Sequence, residues 1–102
     1  LVFVSGQVGV DGNGDLVGEG DCGAQSEQCF RNVEAALKAA GATLADVTKI
    51  TTFLVNGDDY PAYAAARLKL FPENGPASAT VMVKELVSPA FLVEIDAFAV
   101  LP

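Results

Sequence analysis

The chain has 102 residues, 51% of them hydrophobic and 19% charged, and its 13 acidic and 6 basic side chains give a formal net charge of -7. This length suits one domain, and a domain so small leaves much of its surface exposed, which favours oligomerisation. No apolar run approaches the ~20 residues of a membrane span, no secretory leader is evident, and the scattered basic residues form no nucleic-acid-binding patch. We therefore predict a single cytoplasmic domain, residues 1–102, with no nucleic-acid or membrane partner.

Residue types that support metal or nucleophilic chemistry are scarce. Histidine is absent, and Cys22 and Cys29 are the only cysteines. Without histidine or a C-x-x-C pair the usual metal and haem sites have too few ligands, so we expect no metal and no cofactor. On one helix the two thiols would lie ~10 Å apart along the axis, too far for a disulfide. Their neighbours are neutral or acidic, so we interpret both as reduced structural thiols rather than nucleophiles.

The first half of the chain predicts a hairpin followed by a helix. Leu1–Val10 is rich in strand-forming residues and leads into Asp11-Gly12-Asn13-Gly14, which is typical of a tight turn, so Leu16-Val17 should begin a return strand. From Asp21 to Ala40 apolar residues recur at helical spacing, and Gly41 should end the helix. The predicted buried face consists of Phe30, Val33, Leu37 and Ala40.

The second half predicts a second helix between strands. Thr43–Asp46 is expected to form one turn, and Val47–Val55 alternates as a strand does. A helix should follow, with an aspartate as its N-cap, Pro61 in its first turn and Pro72 at its end. Its predicted buried side is Tyr60, Tyr63, Ala64, Arg67, Leu68 and Phe71. Two further strands are predicted at Ala77–Val83 and Phe91–Leu101, with a loop at Lys84–Ala90, giving the order ββαβαββ.

The last predicted strand is apolar on both of its faces. Apolar residues occupy every position of one face from Phe91 to Ala99, and the other face also carries Leu92, Phe98 and Val100. A single layer of two helices can cover only one face of a sheet. We therefore expect the uncovered face to pack against another subunit.

Several short segments share their order and spacing with one known family. They are Val2-Phe3-Val4-Ser5-Gly6-Gln7, Asn32-Val33, Gly41, Asp46-Val47-Thr48-Lys49, Phe71-Pro72-Glu73-Asn74, Pro76-Ala77 and Val93-Glu94-Ile95. Together they make the chain resemble, over essentially its whole length, the RidA (YjgF, L-PSP) family of enamine and imine deaminases. The resemblance implies an α+β, chorismate-mutase-like fold with a mixed sheet covered by two helices. It also implies a homotrimer whose sheets line a central barrel, with small-molecule clefts between subunits.

The same resemblance implies a hydrolase similar to 2-iminobutanoate/2-iminopropanoate deaminase, which releases ammonia and a keto acid from a reactive imine. In active members an arginine directly after Pro-Ala grips the substrate carboxylate, and here that position is Ser78. A hydroxyl supplies neither the charge nor the paired donors of a guanidinium, so affinity for a small 2-imino acid should fall.

Three other residues match positions of the family's cleft. Glu94 matches a glutamate that orients or activates water, and Thr80 matches a position whose backbone N–H and carbonyl hold the substrate nitrogen. Ser5 matches a substrate-binding serine. The alternatives are that Glu94 simply alternates outward on its strand and that Ser5 belongs to a tight turn.

The chain also departs from the family's pattern elsewhere. Ala64 stands where many relatives have asparagine, and the chain starts at Leu1 without the family's N-terminal strand, so it is either trimmed or has a more open cleft. Arg67 and Lys84 are alternative cations, although surface charge is the favoured interpretation of each. Three hypotheses follow: a divergent deaminase, a non-catalytic trimer that binds a metabolite, and, disfavoured by the acidic charge, an endoribonuclease.

Overall fold

The computed structural model describes residues 1–71 and 75–102 of the chain. The predicted helix end at Pro72 and the family residues Glu73 and Asn74 lie outside this range. The elements follow the order βαβαββ: β1 (Val2–Gln7), α1 (Cys22–Ala39), β2 (Val47–Leu54), α2 (Tyr60–Leu70), β3 (Ala77–Met82) and β4 (Val93–Ala99). The predicted α+β class is confirmed, with bounds within a few residues of those expected.

Helix α1 begins and ends where the sequence predicts. The Asp21 carboxylate accepts a hydrogen bond from the Ala24 amide at 3.0 Å, which satisfies a free donor of the first turn. At the other end Gly41 has a φ of 85°, a left-handed conformation that favours glycine. Phe30, Val33 and Leu37 are buried as predicted, whereas Ala40 is the exposed C-cap.

The predicted return strand at Leu16-Val17 is wrong. The turn itself forms, because the Asp11 carboxylate accepts hydrogen bonds from the Asn13 amide at 2.9 Å and the Asp15 amide at 3.1 Å. Beyond it the pairing consists of one isolated antiparallel bridge between Val10 and Leu16 and a hydrogen bond from the Val17 amide to the Gly9 carbonyl at 2.7 Å, too little for a strand. Left-handed backbone at the following glycines, with φ of 81° at Gly18 and 68° at Gly20, is incompatible with an extended strand.

The four strands form one mixed sheet in the order β1-β4-β2-β3. Strand β4 runs antiparallel to both of its neighbours, whereas β2 and β3 are parallel and joined through α2. A parallel pair needs such a crossover connection. Strands β1 and β3 are therefore the two edges of the sheet.

The predicted buried side of α2 is only partly correct. Tyr63 and Ala66 are its buried residues, whereas Leu68 is 55% exposed. The Tyr63 hydroxyl and the buried Thr52 hydroxyl are 2.6 Å apart in a hydrogen bond that fixes the rotation of the helix. The predicted aspartate cap is also wrong: the Asp59 side chain makes no capping bond, because a 3₁₀ turn at Gly57–Asp59 precedes the helix.

The helices cover one face of the sheet and leave the other uncovered, as expected for a single helical layer. The residues of β4 that face the helices are fully buried: Val93, Ile95, Ala97 and Ala99. On the opposite face Phe3 and Phe98 remain 66% and 43% exposed, with their rings in an edge-to-face contact at 5.0 Å. Among the described residues, no helix is long and apolar enough to cross a membrane.

Candidate functional site

Ser78 and Thr80 lie on β3, at the edge of the sheet. Ser78 is paired with Ile50 and Thr80 with Thr52 in the parallel register. Side chains paired in this way project from the same face, and Ile50 and Thr52 are buried beneath the helices. Both candidate side chains therefore project from the helix-covered face, and the Ser78 side chain is exposed there.

The backbone of Ser78 and Thr80 is directed away from the sheet. The Val83 amide donates to the Leu54 carbonyl on β2 at 2.8 Å. Because backbone groups alternate in direction along a strand, the N–H groups of Val81 and Ala79 also point toward β2. Those of Thr80 and Ser78 point outward, and an edge strand presents such groups to a binding partner. The backbone role expected for Thr80 is therefore geometrically available.

A cation lies beside Ser78. An Arg67 Nη1 donor on α2 is 3.5 Å from the Ser78 hydroxyl, at the long limit of a hydrogen bond. The guanidinium carbon lies 5.5 Å from the centre of the Tyr63 ring, a cation–π contact. Partial burial lowers the pKa of Arg67, but the phenol oxygens of Tyr60 and Tyr63 raise it, and the net shift is upward. The site at Ser78 thus has a permanent positive charge, contributed by a different residue from the one the family pattern uses.

Glu94 lies on β4, on the opposite face of the sheet, and is partly buried. It packs against the backbone of Gly6 so closely that a Cβ added at Gly6 would lie 2.6 Å from its carboxyl carbon. Ser5 precedes Gly6 in the irregular pairing of β1 between Val4 and Gln7, so its alternative assignment to a tight turn is wrong. The structure therefore brings Glu94 and the Ser5-Gly6 backbone together.

The four predicted site residues form two separate groups. Ser78 and Thr80 lie on β3, whereas Ser5 and Glu94 lie on β1 and β4. Strand β2 separates β4 from β3, and the two groups use opposite faces of the sheet. One chain alone therefore does not assemble all four residues into one site.

The cysteines are unsuited to nucleophilic chemistry, in agreement with the sequence. Both are free and buried. Burial, with smaller contributions from Cys22 and Glu94, raises the pKa of Cys29 to about 12, and burial likewise raises the pKa of Cys22. Thiolates are therefore not formed near neutral pH. Within residues 1–71 and 75–102 no group of three or more histidine, cysteine, aspartate or glutamate side chains is arranged to hold a metal.

The sequence interpretation named Arg67 as an alternative cation but favoured a surface charge, and it gave Gly6 no role of its own. The four-residue spacing between Tyr63 and Arg67 on α2 places the guanidinium over the Tyr63 ring. Gly6 was treated as part of a motif, but its role as the surface on which Glu94 packs depends on the pairing of β1 with β4. Lys84, the other alternative cation, lies exposed after β3.

Comparison with known proteins gives a consistent set of relatives. The family model described as endoribonuclease L-PSP matches residues 1–101. The 3-aminoacrylate deaminase RutC of Acinetobacter baylyi is 39% identical over 99 residues, which is 97% of this chain and 78% of that protein. A 2-iminobutanoate/2-iminopropanoate deaminase of Dermatophagoides farinae is 34% identical over 98% of this chain and 77% of its own length.

Solved structures agree in fold. The Rid-family protein YyfB from Yersinia pestis superposes with a TM-score of 0.89 at 35% identity, covering 98% of this chain and 77% of that one. The yeast protein YEO7 gives a TM-score of 0.91 at 29% identity, covering 98% of this chain and 78% of that one.

Proposed function

The chain belongs to the endoribonuclease L-PSP (RidA/YjgF) family, and from this premise we propose that it is a deaminase of reactive imines and enamines with altered substrate specificity. The names of two relatives, a 3-aminoacrylate deaminase and a 2-iminobutanoate/2-iminopropanoate deaminase, support this class of reaction. The observation that carries the proposal is the Glu94 carboxylate, held against Gly6 on the face that no helix covers.

The proposed reaction needs one base and one water molecule. Glu94 accepts a proton from water as the water oxygen bonds to the imine carbon, and the imine nitrogen takes up a proton from solvent, which gives a carbinolamine. Glu94 then returns its proton to the amino nitrogen, and the C–N bond breaks as the hydroxyl loses its proton to solvent. Ammonia is released, a carbonyl group remains, and the Glu94 carboxylate is regenerated. In this proposal the outward N–H and C=O groups of Thr80 hold the substrate nitrogen. An enamine substrate enters the same sequence after it has tautomerised to the imine.

We place this reaction between copies of the chain. Glu94 and Thr80 lie on opposite faces of one sheet, so a small molecule that contacts both must be bound by Glu94 of one copy and Thr80 of another. The exposed Phe3 and Phe98 surface gives two copies an apolar area to bury. The proposed assembly is the homotrimer implied by the family resemblance, with ligand clefts between its subunits.

Replacing Glu94 tests the proposal. We expect Glu94→Gln to lower kcat for hydrolysis of 2-aminoacrylate, generated in the assay, by about 10²- to 10⁴-fold, the usual contribution of a general base. Asp96→Asn is the matched control, because Asp96 lies two residues along β4 on the same face, opposite Thr51. Release of keto acid is measured, with size exclusion to verify assembly. Equal activity of both variants and the wild type would exclude Glu94 as the base.

A second candidate function is a non-catalytic trimer that binds a metabolite. Ser78 favours it, because the hydroxyl does not replace the carboxylate-gripping arginine of the family pattern. Keto acid formation no faster than the uncatalysed reaction, with several imines, would favour this candidate. The endoribonuclease named in the family description is opposed by the net charge of -7.

A further inference from the structure

The substrate class of the proposed function requires a counter-charge. The named substrates of the two relatives, 3-aminoacrylate and the 2-imino acids, each carry a carboxylate. A carboxylate leaving water for a cleft is costly unless it is paired with a cation or hydrogen-bonded. This chain carries only 6 basic residues, and its net charge is -7. The position of each basic side chain therefore decides whether it can pair with the substrate carboxylate.

The structure describes all six basic side chains, and their contacts show which of them lie near the candidate site. Lys69 forms an ion pair with Glu27 of α1. Arg31 and Lys38 are exposed on α1, Lys49 lies on β2 and Lys84 follows β3. Arg67 is the one whose guanidinium contacts a residue of the candidate site, the Ser78 hydroxyl at 3.5 Å.

We infer that Arg67 is the carboxylate-binding residue of this protein, acting with the Ser78 hydroxyl and the outward backbone of β3. The inference rests on the proposed function for its ligand class, small 2-keto and 2-imino acids. The carboxylate-binding residue, called the anchor below, would then be Arg67 on helix α2 instead of an arginine at position 78 on strand β3. The departure at Ser78 then changes the source of the charge and does not remove it.

The guanidinium is held in position by a chain of contacts that starts in the core. The buried Thr52 and Tyr63 hydroxyls are hydrogen-bonded at 2.6 Å, which fixes the Tyr63 ring. The Arg67 guanidinium lies over that ring at 5.5 Å and is directed toward Ser78. A planar guanidinium has five donors, and one contact to Ser78 leaves others for a carboxylate. A pre-positioned anchor loses little side-chain entropy when the ligand binds.

The location of Arg67 also fits a ligand that reaches Thr80. Ser78 and Thr80 are two residues apart on the edge strand, and their side chains and free backbone groups point in the same directions. A carboxylate at Arg67 and Ser78 therefore places the rest of a small acid along the outward N–H and C=O of Thr80. This orientation presents the substrate nitrogen where the proposed reaction needs it.

Binding of 2-oxobutanoate, measured by isothermal titration to the assembled protein, tests the inference without requiring catalysis. We expect Arg67→Gln to weaken binding at least tenfold, the scale of a charge-assisted hydrogen bond. Arg31→Gln removes the same charge from an exposed position on α1 and should change affinity less than twofold. Arg67→Lys, which keeps the charge and loses the paired donors, should fall between them.

A second substitution tests whether Arg67 and position 78 serve the same purpose. Ser78→Arg should restore binding in the Arg67→Gln background by tenfold or more, and should add much less to the wild type, which already has an anchor. The double variant also controls for a folding defect of Arg67→Gln, because a double variant that binds 2-oxobutanoate must be folded.

The outcomes separate this inference from the proposed function. Equal affinity of Arg67→Gln and Arg31→Gln, or no binding of 2-oxobutanoate by the wild type, overturns the anchor. If Arg67→Gln loses binding and Arg31→Gln does not, while Glu94→Gln leaves hydrolysis unchanged, the results support Arg67 as the carboxylate-binding residue and contradict the proposed role of Glu94. If hydrolysis depends on Glu94 but not on Arg67, the results support the proposed deaminase and contradict Arg67 as its carboxylate-binding residue.

Discussion

At the scale of single residues, the contact between Gly6 and Glu94 is the feature on which the proposed chemistry depends. No side chain larger than the hydrogen atom of glycine fits between the β1 backbone and the Glu94 carboxylate, since a Cβ added at Gly6 would lie 2.6 Å from the carboxyl carbon. The atoms that would have to move are the flexible end of the Glu94 side chain. A substitution at Gly6 should therefore displace the base and leave the fold nearly unchanged.

The corresponding prediction is that Gly6→Ala lowers kcat about 10²-fold, the effect expected from displacing a catalytic group by about 1 Å. The thermal unfolding midpoint should change little, because only the end of a side chain must shift. Gly12→Ala is the control, since an added Cβ there meets nothing within 4 Å. Both quantities are measured on the same preparations, and full activity of Gly6→Ala would show that the Glu94 carboxylate need not occupy this position.

At the scale of elements, the packing of α1 against β4 carries a buried titratable group. The Cys29 thiol has 0% exposure, and its sulfur lies 3.9 Å from the Val93 carbonyl oxygen of β4. Burial raises its pKa from 9.0 to about 12 because a thiolate in this interface would lose its hydration. The folded chain therefore keeps this proton over a pH range in which the unfolded chain releases it.

This difference predicts that stability falls as pH rises above 9. The stabilisation by the raised pKa is fully present below the unfolded value of 9.0 and is lost between 9.0 and about 12, with a slope of up to about 1.4 kcal/mol per pH unit. Cys29→Ala should lower stability below pH 9, because the buried sulfur no longer fills its site, and should reduce this slope, so that the difference between the two proteins shrinks as the pH rises above 9. Urea unfolding between pH 8 and 10.5 measures both effects, and identical slopes in the two proteins would contradict the assignment to Cys29.

At the scale of the whole molecule, the helix-free face of the sheet exposes several large apolar side chains. Phe3, Val81, Phe98 and Val100 are all more than 40% exposed. An exposed apolar surface on this scale marks an interaction site. Because the proposed reaction needs both faces of the sheet, assembly and activity should be lost together.

We predict a trimer in solution. Light scattering coupled to size exclusion should give a mass near three times the 10.5 kDa of one chain, and Phe98→Asp should shift it toward a single chain by burying a charge in the interface. Leu68→Asp is the matched control, since Leu68 is similarly exposed but lies on α2, on the other side of the sheet. A mass of 10.5 kDa for the wild type at micromolar concentration would reject the trimer.

The features that the sequence determined by itself are those set by neighbouring residues. Helix α1 follows from its apolar spacing, with Asp21 and Gly41 at its ends, because caps and periodicity act within a few residues. The division of the β4 side chains between two faces follows from strict alternation, since successive side chains of a strand point to opposite faces.

The tertiary structure alone decided what depends on contacts between distant segments. The return strand at Leu16-Val17 is absent because backbone conformation at later glycines overrides a strong turn signal. The rotation of α2 is set by the bond between Tyr63 and Thr52, and that rotation places Arg67 beside Ser78. The contact of Gly6 with Glu94 likewise requires the register of β1 on β4, which no local pattern in the sequence encodes.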